Sequence, residues 1–339
     1  MRSVRRAAIL ITAAGISLTP MASTTVAASA APAIRAAGTA ALACNITATI
    51  PLGFFPAGIG VNPKTSTIYA TNGNVPGTMA VISGRTNTVT TTIPVGSFPF
   101  GAGVDPYFNR IYVANQADNT VSVIRGKTKA VLATVPVGQA PNPVAVNPKT
   151  NAVYVANLRD DTVSVLSART NTVVATIAVG GLPNGITVNM NTDTIYTANF
   201  FDDTVSVISG AVDKVVATVA VGGAPTAIAA DLKTNTVYVT NVFDNTVSVI
   251  SGKTNTVIAT IPLADSANPA GVAVNTRTNT IYVTNRGNDT VSVIGGWQNK
   301  LLATLTGFSE PFAVAADKNA NTVYVGNQNG TVSALVCMR

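Results

Sequence analysis

Residues 142–180 read NPVAVNPKTNAVYVANLRDDTVSVLSARTNTVVATIAVG, and this stretch predicts the fold. It contains four short runs rich in Val, Ile, Thr and Ala, at 143–146, 152–157, 162–166 and 172–177. Such runs favour a pleated, half-buried surface, and the Asn, Pro, Asp and Lys-Thr-Asn segments between them are typical of tight turns. The stretch therefore predicts four consecutive β-strands.

The same unit recurs along the chain. Seven times a Tyr is followed two residues later by a small residue and then Asn, at Tyr69, Tyr112, Tyr154, Tyr196, Tyr238, Tyr282 and Tyr324. The spacings are 43, 42, 42, 42, 44 and 42 residues. Four strands in such a unit match a propeller blade, whereas solenoid turns are shorter. The sequence thus predicts an all-β fold, a seven-bladed β-propeller of four-stranded antiparallel blades.

The motif residues carry a family resemblance. Residues 112–115 read YVAN, and residues 238–241 and 282–285 read YVTN. Each is followed five residues after its Asn by TVSVI, and units close on segments such as TNTVIATIP. Over residues 44–339 the chain resembles the YVTN family of β-propeller repeats. The resemblance implies a seven-bladed scaffold that is often exported or attached to a surface, and it implies no particular substrate.

The N-terminus has the pattern of an export signal. Three Arg residues among the first six precede an apolar run at 7–16, and the Ala-Ser-Ala at 28–30 resembles a signal-peptidase site. We interpret 1–30 as a signal peptide and 31–43 as a disordered leader before the propeller, 44–339. Sec export is favoured over the twin-arginine route. The expected location is extracellular or at the cell surface, with no transmembrane segment.

The two cysteines predict how the ring closes. Aligned with later units, residues 48–53 form a fourth strand, so the N-terminal strand completes the last blade. Cys44 and Cys337 then face each other across an antiparallel hairpin, within reach of a disulfide. An exported chain meets an oxidising compartment, and no other Cys competes. The alternative is that 41–44 form a lipobox.

Composition excludes several kinds of chemistry. The chain has no His, and charged residues make up only 10% of it. Ser-His-Asp triads and His-ligated metals or haem are therefore excluded. No cofactor is predicted, although carboxylate chemistry and oxygen-ligated Ca²⁺ or Mg²⁺ remain open.

The turns sort the charges onto two faces. The loops between blades and the turns between second and third strands lie on one face, which we call the top. The other turns lie on the opposite face, which we call the bottom. Of the 17 Lys and Arg residues from Lys64 onward, 15 fall on the bottom. The candidate basic surface there comprises Arg125, Lys127, Lys129, Lys149 and Arg169. Trp297 is also on this face, and the other bottom turns are expected to lack aromatic residues, which weakens the case for nucleic acid.

The top face is predicted to carry nine of the 14 acids and nine of the ten Phe residues. The candidate ligand site there comprises Phe308, Glu310, Asp265, Phe200, Phe201, Asp202 and Asp203. The acids of the repeated Asn-x-x-Asp-[Asn/Asp]-Thr signature are interpreted as turn residues, since Asn and Asp bond their local backbone. A Ca²⁺ site at the doubled acids is the alternative.

Three functions remain open from the sequence. The first is a monomeric, non-enzymatic binding or scaffold protein of the cell envelope, with a protein or polymer partner. The second is a propeller enzyme, such as a lactonase, lyase or isomerase, which uses top-face Asp residues and a divalent cation. The third is nucleic-acid binding through the basic face, which requires strong salt dependence.

Overall fold

The computed structural model describes residues 42–338. The predicted signal peptide, 1–30, and all but the last two residues of the predicted leader, 31–43, lie outside this part. The described residues form 28 β-strands and one short 3₁₀ helix. No helix in this part of the chain is long and apolar enough to cross a membrane.

The strands follow the predicted order along the chain. The first strand is β1 (Ala43–Pro51). Blades 1 and 2 are β2 (Pro56–Asn62), β3 (Thr67–Asn72), β4 (Thr78–Ser83) and β5 (Thr88–Pro94), then β6 (Pro99–Asp105), β7 (Arg110–Asn115), β8 (Thr120–Arg125) and β9 (Val131–Pro136). Blades 3 and 4 are β10 (Pro141–Asn147), β11 (Ala152–Asn157), β12 (Thr162–Ser167) and β13 (Thr172–Ala178), then β14 (Pro183–Asn189), β15 (Thr194–Asn199), β16 (Thr204–Ser209) and β17 (Lys214–Ala220).

The remaining blades repeat this pattern. Blades 5 and 6 are β18 (Pro225–Asp231), β19 (Thr236–Asn241), β20 (Thr246–Ser251) and β21 (Thr256–Pro262), then β22 (Pro269–Asn275), β23 (Thr280–Asn285), the 3₁₀ helix (Arg286–Asn288), β24 (Thr290–Gly295) and β25 (Lys300–Leu305). Blade 7 contains β26 (Pro311–Asp317), β27 (Thr322–Asn327) and β28 (Thr331–Met338).

The strands form seven separate four-stranded antiparallel sheets. The first strand of each blade contacts the first strand of the next, and β26 of blade 7 contacts β2 of blade 1. These first strands therefore surround a central channel, and the predicted seven-bladed propeller is confirmed.

The ring closes as the sequence predicts. Blade 7 has the strand order β1-β28-β27-β26, so β1 supplies its outermost strand. Cys44 lies directly opposite Cys337 in the β1–β28 pair. The two form a disulfide with an S–S distance of 2.04 Å and a Cα–Cα distance of 4.1 Å. The predicted disulfide is confirmed, and it links the two ends of the ring.

The motif tyrosines fill the space between blades. Each lies on the second strand of its blade and is buried. Tyr154 of blade 3, for example, packs in one cluster with Ile195 and Ile208 of blade 4. Burial raises the pKa of Tyr69 and of Tyr324 to about 12. The repeat is thus set by inter-blade packing, because every sheet must bury both faces against its neighbours.

A second set of contacts joins the blades at the bottom face. The inner strand of blade 3 ends at Asn147, whose Nδ2 donates to Asp193 Oδ1 of blade 4 at 2.6 Å. Asn189 makes the equivalent bond to Asn235 at 2.7 Å. The bond is reversed where the strand ends in Asp231. With the Asn279 amide oriented to satisfy both of its neighbours, Nδ2 donates to Asp231 Oδ2 at 2.6 Å. None of these three pairs contains two carboxylates.

Within each blade, the motif Asn braces the next turn. Asn157 Nδ2 donates to Thr162 Oγ1 at 3.0 Å and to Ser164 Oγ at 2.9 Å. Blades 2 to 7 share this arrangement. In blade 1 an Ala replaces the Ser, and Asn72 bonds only Thr78 Oγ1, at 3.2 Å.

The outermost strand of every blade has a register shift. In blade 3, Val165 pairs with Ala175 and Leu166 pairs with Val173, so Val174 is the extra residue of a β-bulge. Bulges twist a sheet edge and discourage pairing with another chain. The seven open edges are thereby protected, and the bulged Val174 is 60% exposed.

Candidate functional site

The top-face acids hold loops together. In blade 4, Asp202 Oδ2 accepts a hydrogen bond from the backbone N–H of Gly181 at 2.8 Å. Asp203 Oδ1 accepts one from the N–H of Ala224, also at 2.8 Å. Gly181 lies in the loop that leads into blade 4, and Ala224 lies in the loop that leads out of it. The two carboxylates therefore fasten their turn to both neighbouring loops.

Other blades repeat this arrangement. The first acid of the turn bonds the preceding loop at Asp118, Asp160 and Asp244. The next residue bonds the following loop at Asn119, Asp161, Asn245 and Asp289. These bonds give the Asn-x-x-Asp signature a role in turn structure. Within residues 42–338, no group of three or more His, Cys, Asp or Glu side chains could hold a metal ion.

An aromatic patch lies on the top turns of blades 4 and 5. The ring of Phe200 contacts that of Phe201 at a centroid distance of 5.7 Å and that of Phe243 at 5.8 Å, both edge to face. Phe243 is 62% exposed. We call these three residues the Phe200 patch. Phe200 and Phe201 are half-buried, and the three rings together form a partly exposed apolar patch, a feature that can mark an interaction surface.

The mouth of the channel on this face is chemically uneven. Phe312 of blade 7 contacts Phe55 at 5.4 Å and Phe100 of blade 2 at 5.9 Å between ring centroids. At the position equivalent to Phe100, blades 3 and 4 carry Asn142 and Asn184, and Asn142 Nδ2 donates a hydrogen bond to Asn184 Oδ1 at 3.2 Å. The mouth is thus aromatic on the side of blades 7, 1 and 2, and polar on the side of blades 3 and 4.

The first-ranked sequence candidates occupy different environments. Phe308 is 9% exposed and belongs to the core cluster that contains the disulfide. Glu310 Oε2 accepts from Arg286 Nε at 3.3 Å. Asp265 lies exposed in the loop between blades 5 and 6. Phe200 and Phe201 do meet, and Phe243 is the residue of this patch that the candidate set lacks.

The candidate basic residues spread over three turns of blades 2 and 3. Arg125, Lys127 and Lys129 lie in or beside the turn between β8 and β9. Lys129 Nζ donates to the Gly126 carbonyl, and burial lowers the Lys129 pKa. Lys149 Nζ lies in another turn and donates to Asn191 Oδ1 at 2.8 Å.

The last of these residues, Arg169, lies in the turn between β12 and β13. It lines a cavity together with residues of blade 4.

The expectation that Trp297 is the lone aromatic residue of the bottom turns is wrong. Tyr107 and Phe108 lie in the turn between β6 and β7, and each is 59% exposed. Lys64 Nζ lies 3.8 Å from the Tyr107 ring centroid, and Lys233 Nζ lies 5.3 Å from that of Trp297. The signal was present in the sequence, since Asp-Pro-Tyr-Phe stands where blades 1 and 3 have Asn-Pro-Lys-Thr.

Comparison with known proteins identifies the fold alone. No protein-family model matches the chain, and no curated protein matches it. Among solved structures it is similar to a chain of Kuenenia stuttgartiensis hydrazine synthase, with a TM-score of 0.74 and 19% identity over 83% of this chain and 95% of that one. At this level of identity the likeness extends to the β-propeller architecture and not to an activity.

Proposed function

We propose that this chain is a non-enzymatic binding module of the cell envelope that holds a protein partner through its top face. The observation that carries the proposal is the Phe200 patch, where the exposed ring of Phe243 on blade 5 contacts the half-buried ring of Phe200 on blade 4. Aromatic side chains dominate the energy of interfaces because they bury large area at low entropic cost.

The acidic residues beside the patch indicate which side chains a partner should carry. Asp202 and Asp244 flank the patch, and both are exposed. One oxygen of each carboxylate accepts a backbone N–H, which leaves the other oxygen for a partner. A segment with apolar and basic side chains satisfies both the rings and the acids.

Fluorescence anisotropy with labelled peptides tests this proposal. The probe is a peptide of alternating Lys and Leu, and its control replaces Lys with Glu. We expect Phe243→Ala to weaken binding of the first peptide at least about tenfold, as for a hot-spot aromatic residue. Phe108→Ala, an exposed Phe on the opposite face, should have no effect. Equal losses in the two variants would refute a top-face site.

The enzyme hypothesis, a lactonase, lyase or isomerase that uses top-face Asp residues with Ca²⁺ or Mg²⁺, is less favoured. Its candidate acids Asp202 and Asp203 already accept backbone N–H groups, so a metal would have to share them. The binding proposal predicts that the melting temperature does not change between chelator and either cation. A cation-specific rise would restore the enzyme hypothesis.

One observation favours a second function, binding of nucleic acid on the bottom face. The exposed rings of Tyr107, Phe108 and Trp297 provide stacking surfaces beside lysines. Single-stranded oligonucleotide binding that weakens steeply with salt, and further weakens in Tyr107→Ala, would support it. Binding that is insensitive to salt would refute it.

We also propose that the chain is an exported, monomeric member of the YVTN repeat family, with 1–30 as signal peptide, 31–43 as leader and 44–339 as propeller. The disulfide supports an oxidising location, since such bonds persist outside the cytosol. N-terminal sequencing of the secreted protein should begin at Ala31, and an intact N-terminus would refute export by this signal.

A further inference from the structure

A cavity between blades 3 and 4 opens on the bottom face. Its volume is about 200 Å³, and Arg169, Asp213 and Tyr154 are among its lining residues. Arg169 and Asp213 come from equivalent turns of the two blades, and Tyr154 is the buried motif residue of blade 3. Within the described residues, no hydrogen bond or ion pair engages the Arg169 guanidinium, the Asp213 carboxylate or the Tyr154 hydroxyl. Three strong polar groups thus face one cavity unpaired.

The repeat itself does not require an acid at residue 213. The turns between third and fourth strands of blades 1 to 6 each place a residue with positive φ at this position, namely Asn87, Lys129, Asn171, Asp213, Asn255 and Asn299. Asp213 is the one acid among the six. Asn tolerates this left-handed backbone at least as well as Asp does. The acid is therefore a departure that the turn does not explain.

One equivalent cleft, between blades 5 and 6, pairs its motif Tyr with the turn residue. There the Tyr238 hydroxyl donates to Asn299 Oδ1 at 3.1 Å. In the cleft of blades 3 and 4, Asp213 stands in place of that Asn and the Tyr154 hydroxyl is unbonded. The clefts between blades 2 and 3, 4 and 5, and 7 and 1 carry Asn at this position and also leave the Tyr hydroxyl and the Asn Oδ1 without a partner. The cleft of blades 3 and 4 therefore differs from all of these in the carboxylate of Asp213, and not in its unbonded Tyr.

The electrostatics of the cavity favour a ligand with two opposite charges. Burial and the nearby Asp193 raise the pKa of Asp213, and burial together with both acids raises that of Tyr154. A cation at this end would therefore be stabilised. At the other end, Arg169 offers a permanently charged planar fork that suits a carboxylate. Lys214 follows Asp213 in the chain and is exposed.

We propose that this cavity binds a free, small aliphatic α-amino acid. The α-carboxylate accepts hydrogen bonds from Arg169, and the α-ammonium donates to the Asp213 carboxylate and to the Tyr154 hydroxyl oxygen. The aliphatic side chain of the bound amino acid lies along Val174, which also lines the cavity. At about 30 Å³ per water molecule, the volume holds roughly six or seven water-sized groups, which fits such a ligand. This site is independent of the top-face function.

Isothermal titration with valine, valinamide and N-acetylvaline tests the ligand class. Valine should bind saturably. Each blocked analogue should bind at least about tenfold more weakly, because each loses one charge-assisted hydrogen bond. Absence of saturable binding by valine, or equal binding by either analogue, would overturn the proposal.

Two variants test the residues, and both place at these positions a residue that another blade already carries. Asp213→Asn introduces the Asn of Asn171 and Asn255, and Arg169→Ala introduces the residue found at Ala211. Each should fold as the parent does and bind valine at least about tenfold more weakly. Lys127→Ala, at the position in blade 2 that is equivalent to Arg169, should bind valine unchanged. If both cleft variants bind valine as tightly as the parent does, valine binds outside this cavity and the proposal is overturned.

Discussion

Replacing Asn147 with Asp would place a second carboxylate in a buried contact between blades 3 and 4. Asn147 is fully buried, and its Nδ2 donates to Asp193 Oδ1 at 2.6 Å. The local turn survives the change, because Asp231 occupies the equivalent position in blade 5 and accepts the same backbone bond, from Lys233. The substitution therefore tests the inter-blade pair and not the turn.

The distance sets the size of the effect. Two carboxylates whose oxygens lie 2.6 Å apart would repel each other by about 6 kcal/mol at an effective dielectric constant of about 20. The pair avoids this repulsion by binding one proton, which can bridge the two acids. Protonating an Asp with an ordinary pKa of about 3.9 costs about 4 kcal/mol at pH 7. The smaller cost applies, so Asn147→Asp should lower the free energy of unfolding by about 4 kcal/mol at pH 7.

The loss should depend on pH with a defined sign. In the folded variant the pKa of the coupled pair is raised, so the pair keeps a proton that the unfolded chain releases. Its stability relative to the parent therefore falls by about 1.4 kcal/mol for each pH unit above the unfolded Asp pKa. At pH 5 the loss should shrink to about 1.5 kcal/mol.

Urea denaturation followed by circular dichroism, at pH 5 and pH 7, measures both quantities. The matched control is Asn189→Asp, whose partner Asn235 can rotate its amide to donate to the new acid. We expect that control to lose less than about 1 kcal/mol. Adding Asp193→Asn to Asn147→Asp should recover most of the loss. Equal losses at both sites, or a loss that does not shrink at pH 5, would refute the like-charge explanation.

Three further predictions concern the fold. Reducing the disulfide, which spans 293 residues, should destabilise the ring by about 6 kcal/mol in the chain-entropy account, and equal urea midpoints with and without reductant would contradict this. Asn157→Ala removes two side-chain hydrogen bonds and should lower the free energy of unfolding by about 2 kcal/mol. Asn72→Ala removes one such bond and should lower it by roughly half as much. Urea denaturation of the two variants measures both losses, and equal losses would contradict the prediction. In an alkaline absorbance titration Tyr69, whose pKa burial raises to about 12, should ionise well after the tyrosines of the urea-unfolded chain, which ionise near pH ~10. Because the unfolded chain ionises first, stability should fall as pH rises from about 10 to about 12, and ionisation of every Tyr at the lower pH would contradict the burial.

The repeat made the blades and the ring closure predictable, while strand ends depended on neighbours. The first strand of blade 3 is predicted at 143–146, but β10 runs from Pro141 to Asn147. Pro141 pairs with Asn157 beyond a register shift, and Asn147 bonds the next blade. At both ends, the strand is longer than the run of strand-forming residues because its end residues have bonding partners elsewhere in the fold. Local propensity does not include such partners, and the prediction was short by two residues at one end and one at the other.

The candidate site was less predictable, because the same loop type can bury or expose its Phe. Sequence position put Phe308 and Phe200 together on the top face, and nothing in either loop says which ring points inward. Phe308 packs in the core cluster that contains the disulfide. Phe243 instead stands in solvent against Phe200. The difference lies in tertiary packing, which one sequence does not display.

Seven copies of one unit provide an internal comparison that separates construction from function. Where the copies agree, as at the motif Tyr and the Asn that follows it, the residue fills or braces the ring. Where one copy differs and no packing reason exists, the residue is free to serve a ligand. Asp213 differs in a turn that accepts Asn, and a Phe occupies the position of Phe243 only in blades 4 and 5, as Phe201 and Phe243. The variant that returns Asp213 to Asn is therefore the sharpest single change, because it can remove binding without removing anything that the fold uses.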